Sequence, residues 1–225
     1  MRNILIATGE HYHIFNRGNN KQIIFFDDND KARLLFNILC FQSSTLIPNI
    51  NREFKKALSD EHRVLIISNE LKNLIIKNRL VEVVNFSLMP NHFHLTIHEL
   101  EERGIARYMQ RMLNGYTKYF NTKYKKSGHL FQGPYKAVHI NHDQQLLYLS
   151  AYIHQNPKEL GNWNKKTENY PWSSYQDYTK NNRWDKLLQH DIITNQFSGK
   201  EYKKFVETSG AKELEKILHE EHLFL

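Results

Sequence analysis

The stretch FSLMPNHFHLTIH carries three histidines, His92, His94 and His98, in an otherwise apolar run. Alternate residues of a β-strand share a face, so the three histidines point one way while Phe93 and Leu95 point into a core. Neighbouring residues on one strand face lie about 6–7 Å apart, which allows His92 and His94 to bind one metal ion. Because His98 lies about 13 Å beyond His94 along a straight strand, we predict two ligands here rather than three.

The spacing of this histidine pair is by itself a weak signal of a metal site. A chance pair of surface or core histidines produces the same pattern, and the spacing does not separate the two interpretations. The same spacing occurs at His11 and His13 near the N-terminus, where we interpret it as a chance match. A third ligand and a reactive group are needed to favour the metal site.

Candidates for both groups occur in the segment AYIHQNP, where Tyr152 and Asn156 are four residues apart. On a helix this spacing places them on one face, one turn apart. An amide oxygen and two imidazoles form a mixed site suited to Mn²⁺ or Mg²⁺, with open positions for phosphate oxygens. A phenol with an ordinary pKa of about 10 is a poor nucleophile, and a nearby cation would lower that pKa. Spacing alone is more typical of a core tyrosine and a helix-terminal asparagine.

The elements that must position these residues follow from the periodicity of the chain. LVEVVNFSLM is typical of a buried strand, and NHFHLTIHEL pairs with it as a hairpin around Pro90-Asn91. NHDQQLLYLSAYIHQNP predicts a helix that is opened by Asn141 or Asp143 and ends before Pro157. The order β-α-β-β-α-β-α predicts an α+β fold, a ferredoxin-like antiparallel sheet with helices packed on it.

The segment after Glu102 has the clearest helical pattern in the chain. Its apolar face carries Ile105, Tyr108, Met109, Met112, Leu113, Tyr116 and Phe120. Its polar face carries Arg103, Arg107, Arg111, Asn114 and Lys118. We therefore predict an amphipathic helix that packs on the sheet through the first set and exposes the second.

The positive charge of the protein is concentrated in this region. The chain has a formal net charge of +7, and the segment from Arg103 to Lys136 holds eight Lys or Arg residues and no Asp or Glu. A solvated basic helix is one interpretation. The interleaved rings favour a nucleic-acid surface instead, with cations on phosphates and some rings stacked on unpaired bases. Those rings are Tyr108, Tyr116, Tyr119, Phe120, Tyr124, Phe131 and Tyr135.

The length of 225 residues fits one domain with extensions. We predict a catalytic domain over 1–178 with a helical insertion at about 43–80, and a C-terminal helical extension over 179–225. The single cysteine, Cys40, excludes a disulfide framework and a cysteine-based zinc site, which suits the cytoplasm. The N-terminal apolar stretch is too short for a signal peptide, and no segment approaches about 18 unbroken apolar residues. We therefore expect a cytoplasmic protein with no membrane partner.

Five collinear blocks resemble the REP-associated tyrosine transposases, which are single-tyrosine HUH transposases of the small insertion-sequence type. The blocks are HYHIFNRGNNKQIIFFDDND, LMPNHFHL, YMQRMLNGYTKYFNTKYKKSGHLFQGPYK, YLSAYIHQNP and YPWSSYQDY. The resemblance covers both flanks of 43–80 and continues to about Tyr178. The chain departs from the family in its longer segment between the first helix and the VEVVNF strand.

The resemblance assigns roles to the four residues that spacing had singled out. It implies that His92 and His94 bind a divalent metal, Mg²⁺ or Mn²⁺, and that Asn156 is a third ligand. It implies that Tyr152 is the nucleophile, so the expected reaction is transesterification. Tyr152 attacks a phosphodiester in single-stranded DNA, which gives a 5′-phosphotyrosine link and a free 3′-OH that allows rejoining.

The expected partner is single-stranded DNA that forms hairpins or repetitive palindromic elements. Basic side chains would hold its phosphates without sequence preference, while Arg17 in the NRGNN turn can read a guanine edge. A simple β-turn is the more typical role of the glycine and asparagine residues in that segment. The predicted DNA-binding residues are Arg17, Arg103, Arg107, Arg111, Lys118, Lys123, Lys125, Lys126 and Lys136. The resemblance also implies a homodimer as one assembly and a bacterial, nucleoid-associated location.

Two other functions compete with this hypothesis. A non-catalytic domain shaped like an RNA-recognition motif would explain the basic aromatic segment, but it leaves the histidine pair and the spacing of Tyr152 and Asn156 as coincidences. A zinc hydrolase built on His92, His94 and a distant carboxylate lacks any known zinc-hydrolase signature in this sequence.

Overall fold

The computed structural model describes residues 5–58, 65–198 and 200–211. Part of the predicted insertion, 59–64, and the end of the predicted helical tail, 212–225, lie outside the described residues. Within the described part, no helix has both the length and the apolar character that crossing a membrane requires.

Four antiparallel strands form one sheet with the spatial order β2-β3-β1-β4. The strands are β1 (His11–Arg17), β2 (Val81–Met89), β3 (His92–Glu99) and β4 (Lys136–Ile140). β2 and β3 form the predicted hairpin, with Pro90 and Asn91 at its turn. This strand order with helical connections is that of a ferredoxin-like fold, so the predicted α+β class is confirmed.

Eight α-helices lie within the described residues. They are α1 (Asp28–Cys40), α2 (Ile50–Ala57), α3 (Asn69–Lys77), α4 (Gly104–Tyr124), α5 (Asp143–Gln155), α6 (Tyr175–Thr179), α7 (Asp191–Thr194) and α8 (Glu201–Thr208). α2 and α3 lie in the predicted insertion, and α8 lies in the predicted tail. α5 begins at Asp143, and its N-cap is His142, whose Nδ1 accepts a hydrogen bond from the backbone N–H of Gln145 at 3.1 Å.

The two faces of the sheet carry different helices. On one face, Phe93 packs edge-on against Phe131 at 6.0 Å between ring centroids, and Phe131 contacts Tyr116 of α4 at 6.2 Å. On the opposite face, the ring of His94 meets that of Tyr152 from α5. The predicted alternation along β3 is therefore correct. The middle of the histidine face is covered by protein, since His94 is only 7% exposed, whereas His92 and His98 are partly exposed.

Charged groups fasten α1 to the C-terminal end of α4. Asp27 and Asp30 form a reciprocal capping box at the start of α1, which satisfies backbone N–H groups that a helix start leaves unpaired. The ammonium of Lys123 lies 2.7 Å from a carboxylate oxygen of each aspartate. Desolvation lowers the pKa of Lys123, but hydrogen bonds to these carboxylates outweigh that effect and raise it. Lys123 thus ties α4 to α1.

The turn that follows β1 requires glycine because two backbone segments approach closely. A Cβ atom on Gly18 would lie 2.2 Å from the carbonyl oxygen of Gln22, so no side chain fits there. The positive φ angles of this turn belong to Asn20 and Lys21 instead. The N–H of Gly18 also donates to the carbonyl of Asn91 at 2.8 Å, which fixes the turn beside the β2–β3 hairpin. The end of β1 therefore lies next to the start of β3.

Candidate active site

The pairing of β1 with β3 places polar residues of both strands on one face of the sheet. Residues opposite each other in an antiparallel pair share a face. Arg17 lies opposite His92, and Phe15 lies opposite His94. On the other side of β1, Lys136 of β4 lies opposite Phe15. The two predicted metal ligands are therefore flanked by two of the predicted DNA-binding cations.

The rings of His92 and His94 lie close together and are held by hydrogen bonds. Their centroids are 5.1 Å apart and their planes are perpendicular. Nδ1 of His92 donates to the side-chain oxygen of Asn91 at 2.7 Å, and Nδ1 of His94 lies 2.9 Å from Nε2 of His13. Metal-binding histidines usually hold a partner through the nitrogen that does not bind the metal. Nε2 of both rings is thus the candidate ligand atom.

Tyr152 lies directly beside this pair. Its ring centroid is 5.4 Å from that of His94, with the rings at 89°, and 6.2 Å from that of His13. The side chain is 7% exposed. The residue is brought there by α5, which crosses the sheet on the histidine side. The structure therefore places the candidate nucleophile next to the candidate metal ligands within one chain.

Asn156 follows α5 in a short 3₁₀ turn, Asn156–Glu159, with helical backbone angles. It is 2% exposed, and its amide nitrogen donates to the carbonyl oxygen of Tyr152 at 3.2 Å. This bond fixes the orientation of the amide, because nitrogen and oxygen have different roles as donor and acceptor. The amide oxygen is the atom that would bind a cation.

The residue types of the predicted ligand set, two imidazoles and one amide, are ones that bind a divalent cation through nitrogen and oxygen atoms. Among the described residues, no group of three or more His, Cys, Asp or Glu side chains could hold a metal. A tightly bound structural zinc typically uses four His or Cys ligands, so this set does not match that kind of site. Two imidazoles and one amide oxygen agree better with Mg²⁺ or Mn²⁺ that also binds phosphate oxygens.

His13 is the residue of this site that the sequence interpretation missed. We had interpreted the spacing of His11 and His13 as a chance match, yet His13 stacks on His94 at 5.1 Å as well as bonding to it. The feature of the sequence that could have indicated this role of His13 is the repeat of the His-x-His spacing on a second strand. His11 and His98 pair elsewhere, since their rings stack in parallel with centroids 4.4 Å apart.

The predicted DNA-binding cations divide into two groups. Arg103, Lys118, Lys125 and Lys126 are exposed on or beside α4, as are Arg17 and Lys136 at the sheet. Others are already paired within the protein: Lys123 with Asp27 and Asp30, Arg107 with Glu101 at 2.8 Å, and Arg111 with the carbonyl oxygens of Ser43 and Thr45. The role of each in DNA binding stays a prediction.

The basic helix and the candidate nucleophile lie on opposite faces of the sheet. α4 packs on the Phe93 side, whereas Tyr152 packs on the His94 side. The rings of Tyr108, Tyr116 and Phe120 are fully buried. These three rings form the core face of α4, as the helical period predicts, so they are not among the rings that could stack on bases.

Helix α5 is fixed by hydrogen bonds to α8 and to Ser174. His154 is fully buried, with Nδ1 2.6 Å from the Tyr202 hydroxyl and Nε2 2.9 Å from the Ser174 hydroxyl. Ser150 bonds the same Tyr202 hydroxyl at 3.0 Å, and the side-chain amide of Gln155 donates to the carbonyl oxygen of Val206. These contacts fix the helix that carries Tyr152.

The burial of His154 predicts a pH-dependent stability. Burial lowers the pKa of His154 to about 3, whereas an unfolded histidine binds a proton near pH 6.5. The unfolded state therefore binds more protons between these values, and stability falls as the pH decreases. From about pH 7 to about pH 5, this group alone should lower the free energy of unfolding by about 2 kcal/mol. Urea unfolding at both pH values measures the change.

The matched pair for this measurement is His154→Gln and His129→Gln. His129 lies exposed in a loop, so its replacement should leave the pH dependence as in the parent protein. The His154→Gln variant should lose about 2 kcal/mol of that dependence, whatever its stability at neutral pH. An unchanged dependence in this variant would contradict the assignment.

Both the sequence and the fold of this chain are similar to those of known proteins. Residues 48–156 match the family model described as "Transposase IS200 like", a range that contains His92, His94, Tyr152 and Asn156. A solved structure of a REP-associated tyrosine transposase bound to a REP hairpin matches with a TM-score of 0.50 and 14% identity. The match covers 79% of this chain and 82% of that chain. No curated protein matches the sequence.

Proposed function

Because this chain belongs to the family of IS200-like transposases, we propose that it cleaves and rejoins single-stranded DNA through a covalent link to Tyr152. The observation that carries the proposal is the 5.4 Å contact between the rings of Tyr152 and His94. A core tyrosine in an unrelated position would have no reason to meet the histidine pair. All the proposed site residues lie within one chain. The homodimer expected from the resemblance stays a prediction.

The proposed step is a transesterification at phosphorus. The Tyr152 phenol oxygen forms a bond to the phosphorus of a DNA phosphodiester, and the bond from phosphorus to the 3′-oxygen breaks. The phenol loses its proton and the leaving oxygen gains one, so the products are a 5′-phosphotyrosine and a 3′-OH. Attack by a second 3′-OH reverses the step, and no external energy source is needed.

The chain's own residues prepare this step in three ways. Asn156 and the bonds to α8 fix the end of the helix that presents the phenol. His13 fixes the ring of His94, and Asn91 fixes that of His92. A divalent cation held by His92, His94 and Asn156 would stabilise negative charge on the attacked phosphate. Arg17 and Lys136 would position the flanking phosphates.

The proposed substrate is single-stranded DNA that carries a hairpin. The structural relative is bound to a REP hairpin, and this chain shares its fold. α4 and the nucleophile lie on opposite sides of the sheet, so a DNA that contacts both must pass around the sheet edge. Arg17 and Lys136 lie at the site itself and would hold the strand there.

We propose that 1–178 forms the catalytic domain and that the 179–225 extension braces it through α8.

A gel that detects covalent adducts tests the proposal. The protein is incubated with 3′-end-labelled hairpin oligonucleotides carrying single-stranded flanks, with Mn²⁺ or Mg²⁺, and then denatured. The label is placed at the 3′ end because the 3′ fragment is the one that becomes joined to Tyr152. We expect label that travels with the protein and disappears when a chelator is present. Binding without any adduct would favour the non-catalytic alternative.

Arg17→Ala and Lys136→Ala should each weaken DNA binding by removing one phosphate contact. Both side chains are exposed, and the guanidinium of Arg17 forms no hydrogen bond or ion pair with any residue that the structure describes. Loss of one contact should reduce the slope of log affinity against log salt by about 1. Fluorescence anisotropy over a salt series measures that slope. The control is Lys77→Ala, an exposed lysine of α3, which should keep the parent slope. Equal slopes in all variants would remove these two cations from the DNA path.

A further inference from the structure

A cavity of about 490 Å³ lies on the α4 side of the sheet, away from Tyr152. One wall is the surface of α4, which contributes Gln110, Asn114 and Thr117. The opposite wall is the loop before β4, including His129 and Tyr135. Its volume falls in the range of about 300–1,000 Å³ that is typical of small-ligand sites. The proposed reaction makes no use of this cavity.

The cavity combines an apolar wall with two amide side chains. Gln110 and Asn114 are exposed and four residues apart, so both amides face the same space. Neither forms a side-chain hydrogen bond within the described ranges. Half-buried Leu113 supplies apolar surface beside them, and fully buried Met109 lies beneath it. Apolar surface and an amide that both donates and accepts are groups that can bind an unpaired base.

The loop wall connects the cavity to the candidate active site. The N–H of Gln132 donates to the carbonyl of Arg17 at 2.8 Å, and the amide of Asn16 donates to the carbonyl of Gly133 at 3.3 Å. Tyr135, which lines the cavity, is followed directly by Lys136. A strand leaving the cavity along this loop therefore reaches Arg17 and Lys136.

We propose that this cavity binds an unpaired adenine of the single-stranded DNA substrate and thereby sets the position at which Tyr152 cuts. Asn and Gln amides pair in a bidentate manner with the N6 and N7 atoms of adenine, which is the chemistry that favours adenine over the other bases. The inference rests on the proposed function, because it assumes that DNA is the substrate. It assigns Gln110 and Asn114 to base recognition rather than to phosphate binding.

Binding to short oligonucleotides tests the proposal without any cleavage. The probes are fluorescent oligothymidylates of about 20 nucleotides, with a single central adenine, cytosine or guanine or with no replacement. Affinities are measured by anisotropy on Tyr152→Phe protein in the presence of a chelator. We expect the adenine probe to bind at least about fivefold more tightly than the thymine probe. Asn114→Ala and Gln110→Ala should each remove most of that preference and keep the thymine affinity within about twofold.

Thr122→Ala is the matched control, because Thr122 is exposed on α4 outside the cavity. It should keep the adenine preference. Equal affinity for all four probes would overturn the proposal, and so would variants that weaken every probe equally. The result is independent of the covalent step, since neither metal nor the phenol oxygen takes part. An adduct with no base preference would therefore refute the cavity assignment alone.

Discussion

Tyr152→Phe is expected to abolish the covalent protein–DNA adduct while DNA affinity stays within about twofold. The substitution removes one oxygen atom, and that oxygen is the proposed nucleophile. The ring remains to pack against His94 and His13, so the local structure has no cavity to fill. Residual adduct should fall below about a thousandth of the parent level, because no neighbouring group can form the same bond.

The control for this substitution is Tyr148→Phe, which removes a hydroxyl one helical turn earlier on α5. Tyr148 packs against Phe205 of α8. It should form the adduct at the parent rate. DNA cleavage that survives Tyr152→Phe would instead indicate a water nucleophile, as in a hydrolase. Equal thermal unfolding of the three proteins shows that the loss is chemical rather than structural.

The local pattern of the sequence predicted most of the elements around the site. The alternation along β3 predicted which side of the strand carries His92 and His94, because a period of two depends on neighbouring residues alone. The helical period likewise predicted the two faces of α4. The same apolar face contains Tyr108 and Tyr116, so their periodicity already favoured a core position over base stacking.

The pairings between distant segments could not be predicted in this way. The role of His13 depends on the alignment of β1 against β3, which brings together residues about 80 positions apart. The pairing of Lys123 with Asp27 and Asp30 depends on the packing of α4 against α1. Neither contact leaves a periodic signal in either segment. Only the repeat of the His-x-His spacing offered a clue to His13.

His94→Ala is expected to reduce the rate of adduct formation at least about a hundredfold and to weaken Mn²⁺ binding. His94 is the central contact of the site, since its ring meets His92, His13 and Tyr152. Its loss removes one of two proposed imidazole ligands and leaves the Tyr152 ring without its neighbour. Electron paramagnetic resonance of free Mn²⁺ during titration measures the metal affinity separately from activity.

His13→Ala tests whether the hydrogen bond from His13 orients His94 as a metal ligand. If His13 orients His94 as a metal ligand, its removal should weaken Mn²⁺ binding about 10–100-fold, the usual effect of losing such a partner. His98→Ala is the matched control, because His98 lies on the same strand face but stacks on His11 and bonds to Glu82. It should leave the Mn²⁺ titration unchanged. Identical titrations for His94→Ala and the parent protein would show that the pair does not bind the metal, and Tyr152 would then need another source of charge stabilisation.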